Sequence, residues 1–74
     1  MSLHVNNRLS ILLGERMKRI SQVSRDTGIS RTTLTRLFYR KSEAISFDVL
    51  GRLCEYLGCS ISDLLDLRNE SEVE

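Results

Sequence analysis

The stretch of sequence that decides the fold is VSRDTGISRTTLTRL, residues 23–37. A helix that enters it should end at Gly28, because glycine adopts the left-handed conformation after a helix without steric cost. Only Ile29 separates this glycine from Ser30, whose hydroxyl can cap the next helix. The pattern predicts two short helices joined by a three-residue turn, which forces a large angle between them.

The residues around the turn match what such a corner requires. A small residue, Ser24, falls where the two helices meet, and Ile29 supplies an apolar side chain inside the turn. Leu34 and Leu37 lie one turn apart on the second helix, where they can face the core. The stretch is therefore predicted to form a helix-turn-helix.

Apolar residues at helical spacing continue on both sides of the corner, in a chain without proline. They predict an all-α fold, a compact bundle of five helices that contains the helix-turn-helix. Ser46 and Ser60 are expected to cap the last two helices, and Gly58 to end the fourth. The predicted helices run from Val5 to about residues 16–18 and then over about 19–27, 31–39, 47–57 and 61–67.

The size and composition of the 74-residue chain limit its domain organisation and its location. A hydrophobic fraction of 41% and a charged fraction of 28% are typical of a globular domain. We expect one domain over residues 1–68 and a frayed acidic tail over 69–74. No apolar run approaches the ~20 residues of a membrane helix, and the order of charges does not fit a signal peptide. The expected location is cytoplasmic, with no membrane partner.

Charge is divided unevenly along the chain, although the net charge is only +1. Residues 1–41 carry nine basic and two acidic side chains, a net of +7, whereas residues 42–74 carry two basic and eight acidic ones, a net of −6. A basic half is typical of a protein that binds a polyanion. Charge alone is equally compatible with a solvated surface.

The exposed face of the third helix favours the interpretation that the basic half binds a polyanion. At about 100° per residue, Leu34 and Leu37 fall on the side opposite the polar residues, and the helix has no acid. Arginine hydrogen-bonds guanine edges, and threonine offers a hydroxyl and a methyl group to bases. This face, which indicates a docked polyanion, consists of Arg31, Thr32, Thr35, Arg36 and Tyr39.

Residues 23–37 resemble the helix-turn-helix of the phage-repressor family of transcriptional regulators, the Cro/lambda-repressor or XRE type. Residues 45–50 and 53–65 resemble the fourth and fifth helices of that family, so the resemblance covers roughly residues 5–67. It implies a lambda-repressor-like domain that inserts its third helix into the DNA major groove. It further implies a regulator, in our reading a repressor, that binds a palindromic operator as a homodimer.

The resemblance also implies roles for individual residues. By position, Arg31, Thr32 and Arg36 match base-reading sites, and the exposed face adds Thr35 to them. Two departures from the family pattern, Ile20 and Phe38, are expected to pack in the core instead of contacting DNA. The implied phosphate-binding residues are Ser30, Tyr39, Arg40 and Lys41.

The last two helices carry more apolar residues than one core-facing stripe can use. Val49 and Tyr56 lie two turns apart on one flank of the fourth helix, and Leu67 lies outside the stripe of the fifth. Surplus apolar surface on a small domain marks a contact surface. We expect these three residues in a dimer interface; the alternative is that Leu67 covers the first helix.

Other chemistry finds little support in the sequence. Cys54 and Cys59, with His4 as a third candidate, fall short of the four ligands of a structural zinc site. No phosphate-binding loop or nucleophile motif is present, so we expect no enzyme, cofactor, metal or small-molecule ligand. Two alternatives to a DNA-binding regulator stay open, a helical protein-interaction module and a DNA-binding antitoxin.

Overall fold

The computed structural model describes residues 3–42 and 44–69, and all five predicted helices are present. The second, third and fourth helices begin and end within about a residue of the predicted bounds. None of the helices in the described ranges is long and apolar enough to cross a membrane. In chain order the elements are β1 (Leu3–Asn7), α1 (Leu9–Glu15), α2 (Ile20–Thr27), α3 (Arg31–Phe38), α4 (Phe47–Leu57), α5 (Ile61–Leu64) and β2 (Leu65–Asn69).

The predicted start and stop signals of the helices are confirmed. The hydroxyls of Ser30, Ser46 and Ser60 each accept a hydrogen bond from the amide N–H three residues later. At α5 the Asp63 carboxylate also accepts from the amide of Ser60, which completes a capping box. Gly28 and Gly58 end α2 and α4 with φ angles of 79° and 65°. These serine caps and glycines set five of the ten helix ends.

The core is made almost entirely of leucine and lies between all five helices. Val23, Leu34 and Leu53 are completely buried and come from α2, α3 and α4. Ile20 and Phe38 are partly buried and pack against this core, as predicted. The remaining core residues are Leu9, Leu12, Leu13, Ile29, Leu37, Leu50, Leu57 and Leu64.

The prediction of a strictly all-α fold is wrong, because the two ends of the chain form a small sheet. Strands β1 and β2 pair in antiparallel fashion, with Val5 opposite Leu67. Val5 therefore does not belong to α1, and Leu67 does not belong to α5. Strand β2 also includes Asn69, which the sequence assigned to the acidic tail; residues 70–74 of that tail lie outside the described residues.

Local interactions explain why both terminal helices are shorter than predicted. The side chain of Asn7 accepts a hydrogen bond from the amide of Leu9 at 3.2 Å, so α1 begins only there. After α5, Leu65 adopts extended angles, φ −123° and ψ 136°. From Leu65 onward apolar and polar residues alternate, which is the period of a strand with one apolar face. Helix α1 is joined to α5 by the amide of Arg8, which donates to the carbonyl of Leu64 at 2.7 Å.

We expect Gly28→Ala to destabilise the protein by about 1 kcal/mol, because an alanine at a φ of 79° is strained. The added Cβ would also lie 3.4 Å from Nη1 of Arg52. The matched control is Gly51→Ala in α4, where the added methyl meets no atom within 4 Å. That variant should gain up to about 1 kcal/mol. Urea unfolding measures both, and shifts of the same sign would contradict the assigned role of Gly28.

Candidate nucleic-acid interface

Helix α3 separates its buried and exposed sides as the sequence predicts. Leu34 is fully buried and Leu37 is 5% exposed, which anchors the helix on the core. The turn before it is fixed by Ser24, whose hydroxyl donates to the carbonyl of Ile29 at 2.6 Å. The four predicted base-reading residues are all exposed on the outer side of α3: Arg31, Thr32, Thr35 and Arg36.

The arginines of this face keep their charge directed to solvent. Within residues 3–42 and 44–69, the ion pairs join Arg16 to Glu15, Arg25 to Asp26 and Arg52 to Asp48. None of them involves Arg31 or Arg36. An acid-free helix face with unpaired guanidinium groups produces a positive field that attracts a polyanion.

The predicted phosphate-binding residues lie at the two ends of α3. At its carboxyl end, Arg40 has a φ of 60°, a conformation that costs a non-glycine residue about 1–2 kcal/mol. The backbone reverses there, and the amide of Lys41 donates to the carbonyl of Arg36 at 2.8 Å. Tyr39 is 62% exposed, and its ring packs edge-on against Phe38 at 5.1 Å between centroids. Tyr39, Arg40 and Lys41 thus form an exposed collar beside the arginine face.

Ser30, at the amino end of α3, already has a structural role. Its hydroxyl accepts from the amide of Thr33 at 3.1 Å and lies 2.9 Å from the Thr33 hydroxyl. The residue is exposed, so a phosphate could still reach it. Such a contact would share the hydroxyl with the helix cap, which makes Ser30 a weaker candidate than the collar.

A shallow depression adds two residues that the sequence did not single out. It has a volume of ≈ 370 Å³ and is lined by Thr33, Arg36, Ser42 and Ala44. The hydroxyl of Ser42 donates to the carbonyl of Ala44 at 2.7 Å, which shapes the loop there. No periodic signal could have placed Ser42 beside Arg36, because it lies beyond the end of the helix. Both Thr33 and Ser42 can offer hydroxyls to a ligand on α3.

A polar contact between α2 and α4 holds the helix-turn-helix on the rest of the domain. The hydroxyl of Tyr56 donates to the Asp26 carboxylate at 2.6 Å, and Nζ of Lys18 lies 5.5 Å from the centre of the tyrosine ring. Arg52 of α4 donates to the carbonyl of Thr27 at 3.1 Å. The hydrogen bonds from Tyr56 to Asp26 and from Arg52 to Thr27 join residues 30 and 25 positions apart, and neither was predicted.

The three predicted interface residues occupy different environments. Val49 is half-buried and packs against the core, and Tyr56 is half-buried and bonded to Asp26. Leu67 is 67% exposed on β2. Of the three, Leu67 has the most apolar surface to offer a partner.

The pKa values around these contacts follow their hydrogen bonds. The hydrogen bond from Tyr56 lowers the pKa of Asp26 below its ordinary 3.8, with a smaller contribution from Arg25. The same bond raises the pKa of Tyr56 above 10.0. Hydrogen bonds from the backbone and side chain of Ser60 lower the pKa of Asp63.

The cysteines lie together at the end of α4. Cys54 and Cys59 are both free and half-buried, and the amide of Cys59 donates to the carbonyl of Cys54 at 3.0 Å. Burial first, and the neighbouring Cys54 second, raise the pKa of the Cys59 thiol, which leaves it in the thiol form. Within the described ranges, no three His, Cys, Asp or Glu side chains gather as metal ligands would.

Comparison with known proteins points to DNA binding, which the exposed face of α3 also suggests. Residues 8–70 match the family of Cro/C1-type HTH DNA-binding domains. The chain is 27% identical over 64 residues to YozG of Bacillus subtilis, named an uncharacterized HTH-type transcriptional regulator; the match covers 86% of this chain and 76% of YozG.

Two crystal structures are similar in fold. One is of a Bacteroides fragilis protein described as DNA-binding, with a TM-score of 0.74 and 25% identity, over 85% of this chain and all of the other. The second is of the transcriptional regulator VanUg, also with a TM-score of 0.74, at 28% identity over 95% of this chain and 92% of VanUg.

We expect Tyr56→Phe to raise the pKa of Asp26 toward its ordinary value, because the hydroxyl that stabilises the carboxylate is lost. The pKa of Asp63 should not move, since its hydrogen bonds come from Ser60. A side-chain carboxyl titration by NMR measures both groups in one sample.

The same bond should make stability depend on pH. Because the pKa of Asp26 is lowered by folding, the bond stabilises above pH 3.8 and its contribution is lost as pH falls through the folded value. Because the pKa of Tyr56 is raised, the contribution is also lost as pH rises above 10.0 through the folded value. The difference in melting temperature between wild type and Tyr56→Phe should therefore shrink at both extremes; a constant difference would contradict the contact.

Proposed function

We propose that this chain, which belongs to the family of Cro/C1-type HTH DNA-binding domains, represses transcription by occupying an operator as a homodimer. As a DNA-binding domain it has double-stranded DNA as its partner. Repressor activity, the homodimer and a palindromic operator are our proposals. A cytoplasmic location follows from the proposed access to chromosomal DNA. The proposed mechanism is steric, since a protein bound to an operator excludes other proteins from the same DNA.

The observation that carries the proposal is the outer face of α3. Leu34 and Leu37 fix one side of this short helix on the core, while Arg31 and Arg36 on the other side are exposed without ion-pair partners among the described residues. A helix of this width fits the major groove of B-DNA, where arginine can hydrogen-bond two acceptors of guanine. The rest of the domain then serves to present one rigid helix.

Roles within the face are divided by position along α3 and by side-chain chemistry. Arg31, Thr32, Thr35 and Arg36 are proposed to read base edges. The collar after α3 is proposed to bind phosphates and fix the register of the helix on the duplex. Ser30 is proposed as a further phosphate contact at the opposite end of α3. The collar consists of Tyr39, Arg40 and Lys41.

A dimer is proposed because one recognition helix reads only a few base pairs. A two-fold dimer places two such helices on one face of the duplex, about 34 Å apart, and makes the operator palindromic. The proposed interface contains Leu67, with Val49 and Tyr56 in or near it. The exposure of Leu67 supports this assignment most directly.

We expect Arg31→Ala and Arg36→Ala each to weaken binding to the selected operator by ~1–3 kcal/mol and to relax the preference at one position. The matched control is Lys41→Ala, which should weaken operator and random DNA comparably. Lys41→Ala should also reduce the slope of log K against log salt by about one unit. The operator is first obtained by selection of bound sites from a random DNA pool.

Several outcomes of this experiment would contradict the proposed roles. Equal losses on operator and random DNA for the arginine variants would remove the base-reading assignment. A wild-type protein without a steep salt dependence on duplex DNA would favour the helical protein-interaction module. A palindromic selected site supports the dimer, and a single half-site opposes it.

We expect Leu67→Glu to yield a folded monomer with weakened operator binding, because a charge replaces an exposed apolar side chain in the proposed interface. Met17→Glu is the control, since Met17 is 89% exposed in the turn before α2. Sedimentation equilibrium measures the association of both variants. A Leu67→Glu protein that dimerises like wild type would place the interface elsewhere.

A further inference from the structure

The two cysteines occupy facing positions of the backbone motif that ends α4. Gly58 has a φ of 65°, and its amide donates to the carbonyl of Glu55 at 3.3 Å. The amide of Cys59 donates to the carbonyl of Cys54 at 3.0 Å. These two hydrogen bonds define a Schellman motif, in which the side chains at the positions of Cys54 and Cys59 come into contact. The end of the helix therefore brings the two thiols together.

The surroundings of the thiols agree with this backbone geometry. Both cysteine side chains are half-buried, and both pack against the leucine core. The Cys54 thiol lies near enough to raise the pKa of the Cys59 thiol, with an effect second only to that of burial. Two thiols that contact each other across a turn, each with part of its side chain accessible, are placed for a disulfide.

We propose that Cys54 and Cys59 are a redox-active pair, which a low-molecular-weight disulfide such as oxidised glutathione converts to an intramolecular disulfide. In a cytoplasm that keeps thiols reduced, the dithiol is the resting form and the disulfide is the form made under oxidation. The inference goes beyond the proposed DNA binding and does not depend on it. The modified residues lie at the end of α4, apart from those proposed to contact DNA.

The reaction moves two electrons and two protons from the protein to the small disulfide. The thiolate of Cys54 attacks one sulfur of the oxidant, whose S–S bond breaks and releases one small thiol. The thiolate of Cys59 then attacks the Cys54 sulfur of this mixed disulfide, and the second small thiol leaves. Each departing sulfur takes up the proton that the attacking cysteine has lost. Cys54 is assigned the first step because the raised pKa of Cys59 leaves little thiolate there.

The charged groups near Cys59 have smaller and opposite effects on it. Arg16, whose Nε donates to the carbonyl of Leu57 at 3.0 Å, favours the Cys59 thiolate, and Asp63 of α5 disfavours it. Neither outweighs burial, so Cys59 is a poor nucleophile toward an oxidant in solution. The second step suits it better, because the mixed disulfide on Cys54 makes the attack intramolecular.

The disulfide should stabilise the domain, because it closes a short loop whose ends the folded chain already holds together. Cross-linking lowers the entropy of the unfolded chain. By thermodynamic linkage, the same free energy favours formation of the disulfide in the folded chain over the unfolded one. The bond joins α4 to the turn before α5 and leaves the exposed face of α3 unchanged, so the affinity for DNA should stay the same.

Oxidation of the wild-type chain in glutathione buffers of graded ratio tests the pair. Intact-mass spectrometry should show a monomeric product that is two hydrogens lighter than the reduced chain. The equilibrium constant for its formation should be about 10-fold higher in native buffer than in concentrated urea. The oxidised chain should melt about 5–10 °C above the reduced one.

The matched control is the double variant Cys54→Ala, Glu55→Cys. It moves one thiol by a single position, about 100° around α4, to a site that is exposed. The loop between the thiols is almost unchanged in length, but the Schellman contact is lost. The control should therefore form its disulfide no more readily in native buffer than in urea.

Each result of the oxidation has a defined meaning. A preference for the folded state in wild type that the control lacks supports the proposal. Equal constants in native buffer and urea, or a lower melting temperature after oxidation, overturn it. Persistent mixed disulfides or disulfide-linked dimers as the main product also overturn it, as does an equal preference in the control.

Binding to duplex DNA separates this inference from the proposed function. The reduced and oxidised chains should bind DNA equally, and a large loss on oxidation would overturn a bond formed without rearrangement of the domain. Failure of both forms to bind DNA contradicts the proposed function. It has no bearing on the thiol chemistry, which mass and melting temperature measure without DNA.

Discussion

The left-handed turn at Gly28 is the constraint on which the rest of the structure depends. With φ at 79°, the chain leaves α2 and enters α3 within three residues, which forces a large angle between the two helices. Ile29 fills the inside of the turn at 4% exposure, and Ser24 hydrogen-bonds its carbonyl. The orientation of α3, and with it the whole candidate interface, follows from this corner. A thin core of leucines then suffices to hold it.

The basic residues divide into those that build the domain and those left for a ligand. Arg16 donates to the carbonyl of Leu57 at 3.0 Å, and Arg52 joins α4 to the end of α2. Lys18 lies over the ring of Tyr56. Arg31 and Arg36 have no such engagement among the described residues, although the sequence counts them all alike. The net charge of residues 1–41 thus overstates the positive potential that DNA would meet, because some of these cations make contacts within the domain.

Features with a local cause could be predicted from the sequence, and features that join distant segments could not. Gly28 ends α2 through its backbone conformation, and Ser30 caps α3 through its hydroxyl. The bounds of α2 and α3 therefore agree with the prediction. The exposed face of α3 followed from helical periodicity. Val5 and Leu67, in contrast, are paired across 62 positions of sequence, and Val5 also fits a helical pattern with its neighbours. Leu67 lay outside the stripe of the predicted fifth helix because it alternates with polar residues in a strand.

The proposed homodimer would link dimerisation, folding and DNA binding in one equilibrium. The ribbon joins β1 to β2 in the folded domain, so a second copy that binds only the folded domain stabilises the folded state by mass action. DNA that engages two recognition helices raises the effective concentration of one copy beside the other. By reciprocity, a second copy must then raise the affinity of the first for the operator. A small domain with few core residues can in this way share its stability with the partner and the ligand that it needs for function.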